Sequence, residues 1–294
     1  MRTVAKSLPA PAAVALNYLV WGVLPLFWIL LRHVDPLYIL AQRIMWAALF
    51  SGMWVVWSAL RAGGLRSAFA GASPALIASA AAISVNWGLY IWAVGNGYVS
   101  YAALAYFVSP LLSVLLGAVV FGERLTPLKW AAIFLATVGS VLFGWAQDGA
   151  GLVVVLGVAG SFAAYAAIKK SVRVATVPGL FIESATLTPV AFGFVASGVL
   201  APGSEMDLST WALFAAAGLV TFLPLVVMSH YARRVPLSLL GMLQFISPVV
   251  QLALGVSVFG ERVSALQVTA LALILAGVVL FLVRGRQARG WARS

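Results

Sequence analysis

Apolar residues run through this chain in blocks of about 20, the length that crosses roughly 30 Å of bilayer hydrocarbon at 1.5 Å per residue, and polar residues gather between the blocks. The pattern predicts an all-α integral membrane protein of ten transmembrane helices, at residues 10–31, 37–60, 75–95, 99–121, 127–146, 151–169, 178–200, 208–230, 236–259 and 263–283. The blocks show no alternation at every second residue, which argues against a β-barrel. The first lacks a small-residue cleavage site behind a short apolar core, so it is expected to be a retained helix.

The pattern also repeats. Residues 100–143 align without a gap on 238–281, an offset of 138, with 18 of 44 positions identical. Ser109-Pro110 falls on Ser247-Pro248, Phe121-Gly122-Glu123-Arg124 on Phe259-Gly260-Glu261-Arg262, and Gly139 on Gly277. Two five-helix halves are expected, residues 1–146 and 151–294, the second ending in a basic tail. An odd number of spans per half turns the second half upside down, which supplies two near-equivalent packings for alternating access. Arg124 is then cytoplasmic and Arg262 external. Because the chain has no cysteine, single cysteines at these positions are expected to react with an impermeant thiol reagent from opposite sides; labelling from one side would exclude the inversion.

Charge sets the orientation. With the amino terminus inside, fifteen of the eighteen Lys and Arg residues are cytoplasmic, both termini among the cytoplasmic segments. The net charge of +11 therefore orients the protein and meets anionic lipid; no soluble basic face exists for nucleic acid. No Gly-x-x-x-x-Gly-Lys loop is present, so the chain carries no ATPase domain. His33 and His230 fall on opposite sides, leaving no His-based metal site or Ser-His pair, and the absence of cysteine removes thiolate chemistry. No catalytic residue, metal or cofactor is expected.

The candidate chemistry is recognition inside the membrane. A mid-helix proline frees the carbonyl four residues earlier, so Pro110 and Pro248 would expose the carbonyls of Tyr106 and Gln244 near the bilayer centre, as hinges or cavity walls. The competing reading is a fixed kink in which Ser109 and Ser247 take up the bond. Asn86, Trp87 and Tyr90 share the third span, joined by Asn17 and Trp21 in the first, Tyr101 and Tyr106 in the fourth, Tyr165 in the sixth and Gln244 in the ninth. Flat apolar walls with a few hydrogen bonds suit a small amphipathic solute. Trp28, Trp54, Trp57 and Trp145, nearer span ends, read as interfacial belt. Two charges lie within spans. Arg43 could hold a substrate carboxylate, snorkel, or cap carbonyls, and Glu183 reads as a helix-start acid that could also carry a proton. With no Asp or Glu at the midplane, transport is expected not to depend on a carboxylate relay.

These residues resemble the ten-helix drug/metabolite transporter superfamily with paired EamA-type repeats, and its RarD-like branch. The likeness rests on Trp21-Gly22, Pro25, Gln42-Arg43, Trp46, Asn86-Trp87, Tyr90-Ile91-Trp92, Tyr106-Phe107 and Ser109-Pro110-Leu111. In the second half it rests on Tyr165, Lys169-Lys170, Gly179-Leu180, Glu183, Thr221, Pro224-Leu225, Gln244-Phe245 and Pro248. The resemblance implies an inner-membrane carrier of small metabolites with a central cavity between the halves. The leading expectation is an exporter of amino acids, large apolar or aromatic ones foremost; multidrug efflux, a non-transporting scaffold and a lipid scramblase are the alternatives.

Overall fold

The computed structural model describes residues 9–62, 64, 68–121, 126–145, 150–203, 206–231, 234–235 and 243–283. Among the described residues the chain forms ten long α-helices: α1 (Ala10–Trp28, continued by a 3₁₀ turn, Ile29–Leu31), α2 (Pro36–Ala62), α3 (Ala75–Gly95), α4 (Val99–Phe121), α5 (Pro127–Trp145), α6 (Ala150–Ser171), α7 (Thr176–Ala196), α8 (Leu208–Tyr231), α9 (Ile246–Ser257) and α10 (Ala265–Val283). Six of them, α1, α2, α3, α6, α7 and α8, contain stretches long and apolar enough to cross a bilayer; the described apolar stretches of the other four are shorter. Large apolar side chains such as Leu49, Met53, Leu60, Phe134 and Phe192 point outward, as lipid requires.

Polar residues at the helix starts explain where several helices begin. Asp35 accepts the Leu37 and Tyr38 amides at 2.8 and 3.2 Å ahead of Pro36, a proline at the first helical position. Asp207 accepts the Thr210 amide at 2.8 Å and the Ser209 and Thr210 hydroxyls at 2.6 Å each. The Ser209 hydroxyl, then the Thr210 hydroxyl and amide, hold the Asp207 carboxyl down at about 2. Its capping contribution is thus complete above the ordinary carboxylate range and lost only as pH falls toward 2. Ser264 and Gln267 form a reciprocal capping box on α10. Glu261, in the second Gly-Glu-Arg turn, caps a helix distant in sequence: its carboxylate accepts the amides of Val99 and Ser100 at the start of α4.

The packing follows the 138-residue offset. Shifted by that amount, α1 to α5 fall on α6 to α10. Contacts α2–α7, α4–α9 and α5–α10 join counterparts, while α1–α9 is matched by α6–α4 and α2–α8 by α7–α3. At the α5–α10 crossing the match reaches single atoms. A methyl on Gly139 would sit 2.6 Å from the Ala270 carbonyl, and one on Gly277 would sit 2.7 Å from the Ala132 carbonyl. Ala132 and Ala270 are themselves counterparts, so the contact is reciprocal, and the order of the contacts makes α5 and α10 antiparallel. Phe107 and Phe245, also counterparts, stack on each other with ring centroids 5.9 Å apart and planes 18° apart.

Pro110 lies in the middle of a long helix, as expected, whereas Pro248 does not. Helix α4 runs through Pro110, and Ser109 Oγ donates to the Ala105 carbonyl rather than to that of Tyr106. Pro248 is the third residue of α9, inside the first turn, where its missing amide has no intrahelical acceptor in any case; Gln244 lies ahead of the helix. Pro25, Pro189 and Pro224 also lie inside helices. The Glu123–Arg124 turn, Asp148, Glu205, Arg2, Lys6, Arg66, Arg233, Arg284, Arg286, Arg289 and Arg293 lie outside the described residues.

Candidate functional site

Five helices from both halves converge on Arg43. Its side chain, 6% exposed on α2, is held from three directions. Nε donates to Thr221 Oγ1 on α8 at 2.9 Å, and that hydroxyl passes its own proton to the Ala217 carbonyl at 2.9 Å. The guanidinium carbon lies 5.0 Å from the Trp28 ring centroid on α1 and 4.1 Å from that of Trp87 on α3. A desolvated contact of this kind contributes about 2 kcal/mol, which offsets part of the cost of burying a cation. Tyr90 on α3 and Tyr106 on α4, their rings 5.8 Å apart, lie within electrostatic reach of the guanidinium.

Asn86 works one step further out. Its Nδ2 donates to the Val158 carbonyl on α6 at 2.8 Å, and its Oδ1 accepts from Tyr106 Oη at 3.5 Å. It therefore pins α3, α4 and α6 and positions Tyr106. Trp28 Nε1 and Tyr90 Oη are buried without a hydrogen-bond partner among the described residues. The result is a site rich in donors and π faces, closed over in this structure.

Glu183 forms a second polar junction. It is the eighth residue of α7, 2% exposed, and so not a helix-start acid. It pairs with Lys169 Nζ on α6 at 2.9 Å and accepts the Ser79 hydroxyl on α3, with Tyr165 within electrostatic reach. A crevice too narrow for water is lined by Ile44, Ser84, Trp87, Glu183, Ser184 and Leu187, so that Trp87 borders this junction as well as the Arg43 guanidinium.

The remaining candidates fall elsewhere. Pro25 lacks the amide that would bond the Trp21 carbonyl, and Gln251 Nε2 on α9 donates to that carbonyl at 3.2 Å instead. Trp21 meets Tyr18 edge-on at 5.4 Å, and the Asn17 Nδ2 atom on the same helix is buried without a partner. Tyr101 sits at the end of the bundle that holds Glu261. There it accepts from Gln267 Nε2 at 3.0 Å, packs edge-on against Phe143 at 4.9 Å, and borders a cavity of about 150 Å³ with Tyr98, Ser100 and Arg262. Gln244 is half-buried in the turn before α9.

Of the sequence-derived set, the structure brings Arg43, Trp87, Tyr90 and Tyr106 together with Asn86 behind them, and separates Asn17, Trp21, Tyr101, Tyr165 and Gln244. Sequence reasoning missed Trp28, assigned to the interfacial belt but 2% exposed. Thr221 was visible only as part of a family pattern, since Thr137, Thr186, Thr188 and Thr269 also lie within apolar helices and nothing in the sequence pairs one of them with Arg43.

Comparison with known proteins places these features in context. The EamA-like transporter family model matches residues 9–145. The chain is 39% identical to the protein RarD of Streptomyces exfoliatus, over 90% of this chain and 84% of that one. It is 34% identical to the uncharacterized transporter YojE of Bacillus subtilis, over 91% of each. A protein crystal structure superposes with a TM-score of 0.56 at 22% identity, over 92% of this chain and 96% of the other, a likeness in fold alone.

Proposed function

Since the chain belongs to the EamA-type drug/metabolite transporters, in their RarD-like branch, and is a multi-pass inner-membrane protein of a transporter family, we propose that it exports amino acids or related small metabolites, large apolar or aromatic ones foremost, by alternating access. The moving parts are two inverted five-helix halves, 1–146 and 151–294, with both termini in the cytoplasm. The observation that carries this reading is the convergence of α1, α2, α3 and α4 of one half with α8 of the other on a buried guanidinium walled by Trp28, Trp87, Tyr90 and Tyr106. The reciprocal Gly139–Ala270 and Gly277–Ala132 contacts support the inverted halves. The Lys and Arg distribution supports the orientation.

Among the described residues no carboxylate pairs with Arg43, and Glu183 is occupied by Lys169. Flux of a labelled apolar amino acid down its own gradient is therefore expected to persist in proteoliposomes without an imposed ion gradient. In the same assay Tyr90→Ala and Trp87→Ala are expected to weaken apparent affinity several-fold, from loss of an aromatic contact of about 0.5–1.5 kcal/mol beyond area burial. No saturable flux of any solute would leave a scaffold, drug flux alone a multidrug carrier, and flux abolished by collapsing the proton gradient an obligately coupled transporter.

A further inference from the structure

Resting on the transport reading, we propose that Arg43 takes a single carboxylate borne on an apolar or aromatic body, and that an amino group on the substrate is dispensable. The charges around the site are one-sided. Of the four described acids, Asp35, Asp207 and Glu261 cap the starts of α2, α8 and α4, and Glu183 is paired with Lys169. Among the described residues no unpaired carboxylate is left to receive an ammonium group at the Arg43 site.

The donors point the other way. Nε of Arg43 is committed to Thr221, and its terminal nitrogens make no hydrogen bond among the described residues. Beside them Trp28 Nε1 and Tyr90 Oη are buried and unpartnered among the described residues. A carboxylate has two oxygens with about four lone-pair sites, enough to take the guanidinium edge together with these neighbouring donors as charge-assisted bonds. One buried cation matches one negative charge; a dianion would bring an uncompensated charge into the same low-dielectric space. The rings of Trp87, Tyr90 and Tyr106 then supply the surface for the apolar body.

The test is a ligand series with one body and different charges, measured as binding to the purified full chain in detergent by calorimetry. The series comprises 3-phenylpropionate (carboxylate only), phenylalanine (both charges), 2-phenylethylamine (ammonium only) and 3-phenylpropan-1-ol (neither). The expected result is 3-phenylpropionate binding at least as tightly as phenylalanine, and both tenfold or more tighter than the amine and the alcohol. Arg43→Gln is expected to erase that tenfold preference, and Arg43→Lys to keep part of it. The proposal is overturned by an amine that binds as well as the propionate, by phenylalanine binding tenfold tighter than the propionate, or by a preference that survives in Arg43→Gln. Should Arg43→Gln not fold, the series on the unmodified protein decides alone. Failure of the transport reading looks different: 3-phenylpropionate binds in an Arg43-dependent manner, yet no member of the series crosses a liposome membrane.

Discussion

Glu183→Gln is expected to lower the stability of the folded protein by about 2–3 kcal/mol. Removing one member of a buried ion pair leaves the other charge uncompensated, at a cost of about 3–5 kcal/mol when both are enclosed. Glu183 is 2% exposed, but the Lys169 side chain is 23% exposed and can turn its ammonium toward water, which places the effect at or below the lower bound. The substitution also weakens the acceptor for Ser79, so α3, α6 and α7 lose a shared tie. Adding Lys169→Met to the Glu183→Gln variant is expected to recover part of the loss, because neither charge is then stranded. Thermal unfolding of the two single variants and the double variant in one detergent measures this, and a Glu183→Gln protein as stable as the parent would show that the pair does not tie these helices together.

Gly139→Ala and Gly277→Ala are each expected to destabilise by about 1–3 kcal/mol, the usual range for forcing atoms into a filled interface. The added methyl meets a backbone carbonyl on the opposite helix at 2.6 or 2.7 Å, and a backbone cannot rotate away as a side chain can. The whole α5–α10 crossing must widen. One widening serves both positions, so the double variant is expected to cost clearly less than the sum of the singles. Gly193→Ala is the control. That glycine lies in α7 with nothing within 4 Å of an added methyl, and alanine there is expected to stabilise by up to about 1 kcal/mol. The expectation fails if Gly139→Ala behaves like the control.

Helix positions were legible because lipid imposes length and apolarity together. The expected span 37–60 is realised as Pro36–Ala62, 75–95 as Ala75–Gly95, and 208–230 as Leu208–Tyr231. Side-chain partners were far less legible, because they depend on which faces meet across dozens of residues. Asn86 looked like a cavity wall, yet its amide is spent on the Val158 carbonyl 72 positions away. Trp28 looked interfacial from its place near a span end. The 3₁₀ turn through Leu31 carries the chain on, and the indole is left under the Arg43 guanidinium. Glu183 looked like a helix-start acid because only its distance from a span boundary was visible; Ser79 and Lys169 become its neighbours only once α3, α6 and α7 are packed. Arg43 itself was flagged correctly as a charge within a span, since no amount of packing hides a lone Arg in an apolar run.

On the proposed alternating-access reading, the stack of Phe107 on Phe245 is expected to have a kinetic consequence. In a cycle that exchanges the roles of two inverted halves, a contact between a residue and its own counterpart has the same surroundings in the inward-facing and outward-facing forms. On that reading, trimming either ring is expected to weaken the shared contact alike in both end states and to leave their relative populations unchanged, while the energy of the crossing between them is free to move. A bond such as that from Gln267 to Tyr101 ties one end of the bundle only, and its loss shifts the balance toward one opening. Turnover at saturating substrate is where a Phe107 variant should differ from its parent, and the fraction of carriers open to each side is where a Gln267 variant should.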